Sequence, residues 1–271
     1  MSFGRFDKYL YTLSLGVQNT LVYRTNFLLR AIFNLLPLLA IITLWRTIYT
    51  DKANSIAGYD LTQMVSYYLI VTLVDVLTSV TEDDWQIAAD IKDGQISQFV
   101  IRPIDYLSYR LCLFFSGRFV FTLASALPVL VFLFCQRDSF LLPVDAGSLG
   151  VFGFSLVLSA LLQFYFSFAL SMLAFWVLEV SSFVFALLAA QRLFGGQMFP
   201  LDILPSPLAA CLMYTPFAYQ TFFPASIYLG RVHGDALLTG LAIQCAWVLT
   251  AALLARLCWR RGLQSYTGVG S

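Results

Sequence analysis

Few residues of this chain have the types and spacing needed for covalent or metal chemistry. His233 is the only histidine, so neither a histidine pair nor an H-E-x-x-H helix is available for zinc. The five cysteines (Cys112, Cys135, Cys211, Cys245 and Cys258) are odd in number, scattered and without a C-x-x-C pair. That pattern argues against a disulfide framework or a haem site. No G-x-S-x-G occurs. None of the three lysines (Lys8, Lys52 and Lys92) follows a G-x-x-x-x-G-K-[ST] loop, so the chain has no P-loop for ATP. The acids Glu82, Asp83, Asp84, Asp90 and Asp93 are of the type that holds metal in membrane prenyltransferases, yet they form no D-D-x-x-D cluster. Capping and dipole roles account for them more simply. We expect no enzyme, no metal and no cofactor in this chain.

The elements that carry these residues must sit in lipid. Of 271 residues, 59% are hydrophobic and 11% charged, against roughly 25% charged in soluble domains. Mean hydropathy is +0.79. So few charges cannot wet the surface of a globule this size. A net charge of +1 gives no polybasic field for nucleic acid. No short basic-then-apolar signal peptide is read at the opening. We therefore expect an all-α integral membrane protein forming one transmembrane domain. Six apolar runs fit helical spans, at 27–45, 63–80, 113–135, 149–176, 181–198 and 236–257. A tight turn around Glu179, Ser181 and Ser182 would join the fourth and fifth. One long broken helix is the alternative there.

The Lys/Arg bias orients the bundle. With the N-terminus inside, Arg5, Lys8, Arg24, Arg30, Lys92, Arg102, Arg110, Arg118, Arg256, Arg260 and Arg261 fall on the inner side. Arg46, Lys52, Arg137 and Arg231 fall outside. Both termini are thus expected in the cytoplasm, with the chain multi-pass in a cell membrane.

Three regions are not plain spans. In residues 1–22, Phe3, Phe6, Leu10, Leu13 and Val17 make one helical stripe. That predicts an amphipathic helix along the interface, either an anchor or a lever. In the cytoplasmic segment 81–110, Thr81 with Asp84 fits a capping box and Gly94 a C-cap, predicting a helix from Glu82 to Asp93. A second short element, Gln95 to Ile101, should end before Arg102-Pro103. A plain connector needs only about two to eight residues, so this longer segment reads as a docking element for a cytosolic protein. In the external segment 199–235, Pro200, Pro205, Pro207, Pro216 and Pro224 break the chain into short apolar pieces. Those pieces predict re-entrant helices before the last span, acting as a cap or a gate.

Inside the fifth span stands Arg192. A central arginine costs roughly 2.5–3.5 kcal/mol on insertion scales. We expect it to face the bundle interior, a cavity or a subunit interface, with Gln191, Gln197 and Gln163 as polar neighbours; snorkelling outward is the plainer reading. Asp75, near the inner end of the second span, poses the same question. A weak internal match, Pro103-Ile104-Asp105-Tyr106-Leu107 against Pro200-Leu201-Asp202-Ile203-Leu204, has the placement of an inverted repeat.

These residues together resemble a known family. Val17-Gln18-Asn19, Tyr23 to Leu28 and Leu44-Trp45-Arg46 resemble the opening of small six-span permeases of type-2 ABC exporters. Asp90 to Ser97, Ile101-Arg102-Pro103 and Tyr109-Arg110 are similar to the cytoplasmic segment of that subfamily. So are Pro216-Phe217-Ala218-Tyr219, Phe223-Pro224 and Leu229-Gly230-Arg231 near the end. The resemblance implies a coupling helix at Trp85 to Gly94, with Glu82, Asp83, Asp84, Trp85, Ile87, Asp90, Ile91, Gly94 and Arg102 serving the ATPase contact. It implies an external gate at Phe199, Pro200, Phe217, Tyr219, Phe222 and Phe223, and a pathway or interface role for Arg192, Gln191 and Gln197. It also implies separate ABC-type ATPase partners that bind ATP and magnesium, and a second permease, identical or related. Members are often described as drug or viologen exporters, but no cage of acids in these spans supports a cation. A lone secondary transporter or channel is the main alternative; it would need acidic or histidine relays in the spans.

Overall fold

The computed structural model describes residues 7–22, 24–52, 55–78, 82–100, 104–135, 140–141 and 146–266. The described residues form eleven α-helices and no strand: α1 (Asp7–Val22), α2 (Arg24–Lys52), α3 (Leu61–Thr78), α4 (Glu82–Lys92), α5 (Ile96–Val100), α6 (Tyr106–Cys135), α7 (Ala146–Ser171), α8 (Ser181–Phe194), α9 (Ser206–Met213), α10 (Phe222–Tyr228) and α11 (Gly234–Ser265). The chain is an all-α membrane protein. Among the described residues, four helical stretches are long and apolar enough to cross a bilayer: Leu61–Thr78, Tyr106–Ser125, Gly147–Phe175 and Gly234–Ser265. The first and fifth expected spans fall on α2, of 29 residues, and on α8, of 14.

Local chemistry sets several boundaries. The third span starts seven residues before the expected 113, because the Asp105 carboxylate caps it. It accepts from the Ser108 amide at 3.0 Å and from the Ser108 hydroxyl at 2.6 Å. Pro37 and Pro128 lie within α2 and α6, where neighbouring groups in a bundle can take up the freed carbonyls. After α7 comes a 3-10 turn, Met172–Phe175, before the chain reverses into α8. The Ser181 amide donates to Glu179 Oε1 at 2.9 Å, so the turn expected between the fourth and fifth spans is present.

Helix α1 packs along α6 through its small face, not through Leu10 of the apolar stripe. Leu10 is 63% exposed, whereas Thr12 and Gly16 are buried. A Cβ on Gly16 would stand 2.6 Å from Ser116 Oγ. The small face Thr12–Gly16 therefore lets the two backbones approach, and Leu10, Tyr11, Leu15 and Leu21 are left pointing away from the bundle. Phe3 and Phe6 lie outside the described residues.

Two apolar cores fill the bundle. One joins α4 and α5 to the adjacent ends of α6, α7 and α11, around Ile87, Ile91, Ile96, Tyr106, Phe164 and Phe168. The other gathers α3, α7, α10 and α11 around Met64, Tyr67, Ile70, Leu162 and Phe222.

Candidate coupling joint and re-entrant gate

At the α4 end, the sequence places an apolar pair, Ile87 and Ile91, one turn apart with Asp90 beside them. All three side chains turn into the bundle and are buried. A buried carboxylate needs a partner. Tyr106 and Arg110 supply it from successive turns of α6. The Tyr106 hydroxyl donates to Asp90 Oδ2 at 2.9 Å, and Arg110 Nε donates to the Tyr106 oxygen at 2.9 Å. The Arg110 guanidinium also pairs directly with Asp90 Oδ2, both side chains being almost fully buried. Gln86 Nε2 donates to the other carboxylate oxygen at 3.2 Å. The Tyr106 ring stacks on Trp259 of α11, centroids 4.9 Å apart and planes at 16°. Ser97, just beyond α4, meets the Tyr266 hydroxyl at 3.0 Å. One short helix is thus tied to α6 by an ion pair and a shared phenol, and the ring of that phenol stacks in turn on α11. Gly94 closes α4 at φ +74°, a left-handed conformation that glycine adopts without strain.

The other end is built on non-helical backbone at depth. Helix α8 has 14 residues, about 21 Å of rise, against a hydrocarbon core of about 30 Å. It stops at Phe194 rather than at the expected 198. The chain continues through Gly195 and Gly196 (φ +85°), whose carbonyls require other donors. The Phe222 amide donates to the Gly195 carbonyl at 3.0 Å, the Tyr67 hydroxyl to the Gly196 carbonyl at 2.6 Å and the Tyr68 hydroxyl to the Met198 carbonyl at 2.7 Å. A Cβ on Gly196 would stand 2.7 Å from the Tyr67 oxygen and 2.9 Å from Phe222 Cβ. Bulk is excluded there.

The re-entrant pair α9 and α10 brings residues 214–221 down to the same level. Gln220 Nε2 and Gln191 Nε2 both donate to Gln163 Oε1, at 3.0 and 2.8 Å, and Gln163 Nε2 reaches Ser167 Oγ at 3.3 Å. Gln163 lies about 25 Å along α7 from Ala146. The Ser159 hydroxyl donates to the Gln220 carbonyl. Gln244 of α11 donates to the Tyr219 carbonyl at 2.9 Å and the Ser155 carbonyl at 3.0 Å, and accepts from the Ser155 hydroxyl at 2.9 Å. This amide seam does for the loop what a helix does for itself. Outside it, Arg231 pairs with Asp202 at 3.0 Å and lies over the Tyr59 ring at 3.8 Å. The Tyr59 hydroxyl bonds to both Asp202 oxygens at 3.0 Å. Burial, then the Asp202 carboxylate, holds that phenol well above its usual range, so it stays a donor.

The expected site residues divide between these places. Ile87, Asp90, Ile91 and Gly94 belong to the joint. Glu82, Asp83, Asp84 and Trp85 lie in α4, but their side chains, like Thr81 and Arg102, are outside the described residues. Tyr219, Phe222 and Phe223 line a cavity of about 800 Å³ between α9, α10 and α11. Phe217 instead meets Phe166 and Phe194, and Phe199 and Pro200 lie where the chain rises toward Asp202. Gln191 is buried in the amide seam, and Gln197 donates to Asp75 at 3.2 Å. Of the places expected for Arg192, the bundle interior is not the one it takes. It is exposed on the outer side of α8, among Phe185, Leu188, Ala189, Leu193 and Met198. Adjacent residues of a helix point about 100° apart, and Gln191 already holds the inward direction. The two motifs matched as an inverted repeat use their aspartates differently, Asp105 as a cap and Asp202 as an ion-pair partner.

Tyr106, Arg110, Tyr67, Tyr68 and Gln244 were not singled out from sequence as site residues. The i, i+4 spacing of Tyr106 and Arg110 at a helix start is the signal that was there to use. No curated protein matches the chain significantly. The model of the ABC-2 family transporter protein matches residues 35–270, from within α2 to beyond the end of α11. With its four long apolar helical stretches, its joint and its re-entrant pair inside that match, the chain belongs to the ABC-2 transporter family, whose members are membrane permease components of ABC transporters.

Proposed function

We propose that the chain is the permease subunit of an ATP-driven exporter, with the ATPase docking on α4. The Asp90–Tyr106–Arg110 joint carries this reading. A helix that served only to connect spans would not need a buried ion pair to fix it to α6, through a tyrosine that itself stacks on α11. Separate ABC-type subunits bind ATP and magnesium, since this sequence has no P-loop. Their closure moves α4, and the joint passes that motion to α6 and α11. The bundle has six spans with both termini cytoplasmic, in the cell's inner or plasma membrane, so α4 faces the cytosol and the re-entrant pair faces out. Each nucleotide state must favour a different arrangement of the bundle for ATP to drive the cycle. The gate in that scheme is the Gly195–Gly196 segment with the re-entrant tip.

Two permeases make the working unit. Helix α8 supports this, because among the described residues it rests on little but α7 and leaves Phe183, Phe185, Leu193, Phe194 and Arg192 exposed. A partner permease covering this face would shelter Arg192 from lipid.

Purification of the tagged chain from its native membrane tests the reading. A P-loop ATPase should co-purify in stoichiometric amount, and transport in liposomes should require ATP. Repeated recovery without an ATPase, together with transport in ATP-free liposomes, would establish a lone transporter instead.

A further inference from the structure

Between α4, α7 and α8 lies a cavity of about 170 Å³, on the same end of the bundle as the joint but facing away from it. Its walls are Leu170, Val180, Val184 and Leu188, closed on one side by Ala88 and Ala89 of α4. Of the three serines that line it, the two on α7 are engaged along that helix. Ser171 donates to the Ser167 carbonyl at 2.9 Å, and Ser167 Oγ accepts from Gln163. An apolar cavity of about 150 Å³ stays dry and takes a guest of about six carbons. This one therefore suits the end of a hydrocarbon chain better than water.

One edge is charged. Lys92 is the only charged residue among the described residues lining the cavity, and beside it begins α8, with Val180 and Ser181 also in the lining. No side chain caps that helix at its N-cap, Val180. The chain's own carboxylate shows what this edge attracts. Glu179 accepts from the Ser181 amide at 2.9 Å. The Ser181 hydrogen bonds, then the charge of Lys92, hold its carboxyl below the usual range. Glu179 is exposed and free to swing aside.

We propose that this cavity binds a fatty acid, its chain end between α4 and α8 and its carboxylate between Lys92 and the first turn of α8. Such a guest touches the helix that docks the ATPase and the helix that leads to Gly195–Gly196. It bridges them across a gap that side chains leave open. The site stands on the cavity and its charged edge, and does not depend on which protein docks at α4.

Binding of radiolabelled decanoate, decanol and decyltrimethylammonium to the full chain in phosphatidylcholine nanodiscs tests it. Decanoate should bind tightest and the cation weakest. Lys92→Gln should weaken decanoate about two- to fivefold and leave decanol unchanged. Glu179→Gln should tighten decanoate, because a competing anion is removed. Ala88→Leu fills the cavity and should weaken decanoate and decanol at least about tenfold. Val184→Phe is the second filling variant, should the first fail to give a monodisperse protein. Equal binding of the three probes, or unchanged decanoate binding in a well-folded filled variant, overturns the proposal.

Discussion

Asp90 is charged, sits in the segment expected to touch a partner, and is buried against its own chain. Removing one member of a buried ion pair costs about 3–5 kcal/mol, because the other charge is left alone. Arg110→Ala should therefore lower thermal stability in detergent by that order. Asp90→Leu combined with Arg110→Met should recover most of it, since an apolar pair of similar size fills the same space. If the joint transmits motion, the recovered double variant should still hydrolyse ATP with its partner and transport poorly. Normal transport per ATP in that variant would remove the joint from the mechanism. Sequence pointed to Asp90 but not to its partners. The i, i+3, i+4 pattern of Ile87, Asp90 and Ile91 puts a carboxylate on an apolar face, whereas the 20-residue separation from Arg110 is bridged only in the folded chain.

At the level of elements, glycine decides where two helices stop. Gly94 and Gly196 both take positive φ. Gly196→Ala adds a methyl against Tyr67 and Phe222 at a strained backbone position, and should cost about 1–2 kcal/mol. Its effect should fall on transport more than on ATPase assembly, measured as co-purified ATPase against vesicle uptake. Gly94→Pro should do the reverse and loosen the ATPase while the chain still inserts; unchanged ATPase binding would move the docking site away from α4. Tyr67→Phe removes the donor for the buried Gly196 carbonyl and should destabilise by about 1–3 kcal/mol. Hydropathy finds the spans because lipid demands long apolar runs. It overruns the end of α8 because Gly195 to Met198 carry no charge to mark where the helix has ended.

For the whole molecule, α8 leaves one face exposed, with an arginine among aromatics. If a second permease covers it, cysteines placed one at a time at Phe185 and Arg192 should form an intermolecular disulfide under mild oxidation in native membranes. Arg192→Glu should then weaken the dimer on native gels when both copies carry it. No cross-link at either position, with a dimer otherwise present, would place the interface elsewhere.

Composition alone determined the solvent of this protein, because 11% charge cannot cover a soluble surface. Apolar run length determined where most helices lie, and glycine, proline and aspartate spacing determined many of their ends. Which polar residues meet was decided by tertiary structure. Gln163, Gln191 and Gln220 come from three separate segments, and nothing local in any of them announces the others. Their meeting is forced by the re-entrant loop, whose carbonyls at depth have no water and must find donors on neighbouring helices. The same packing turned Gln191 inward and so left Arg192 outside.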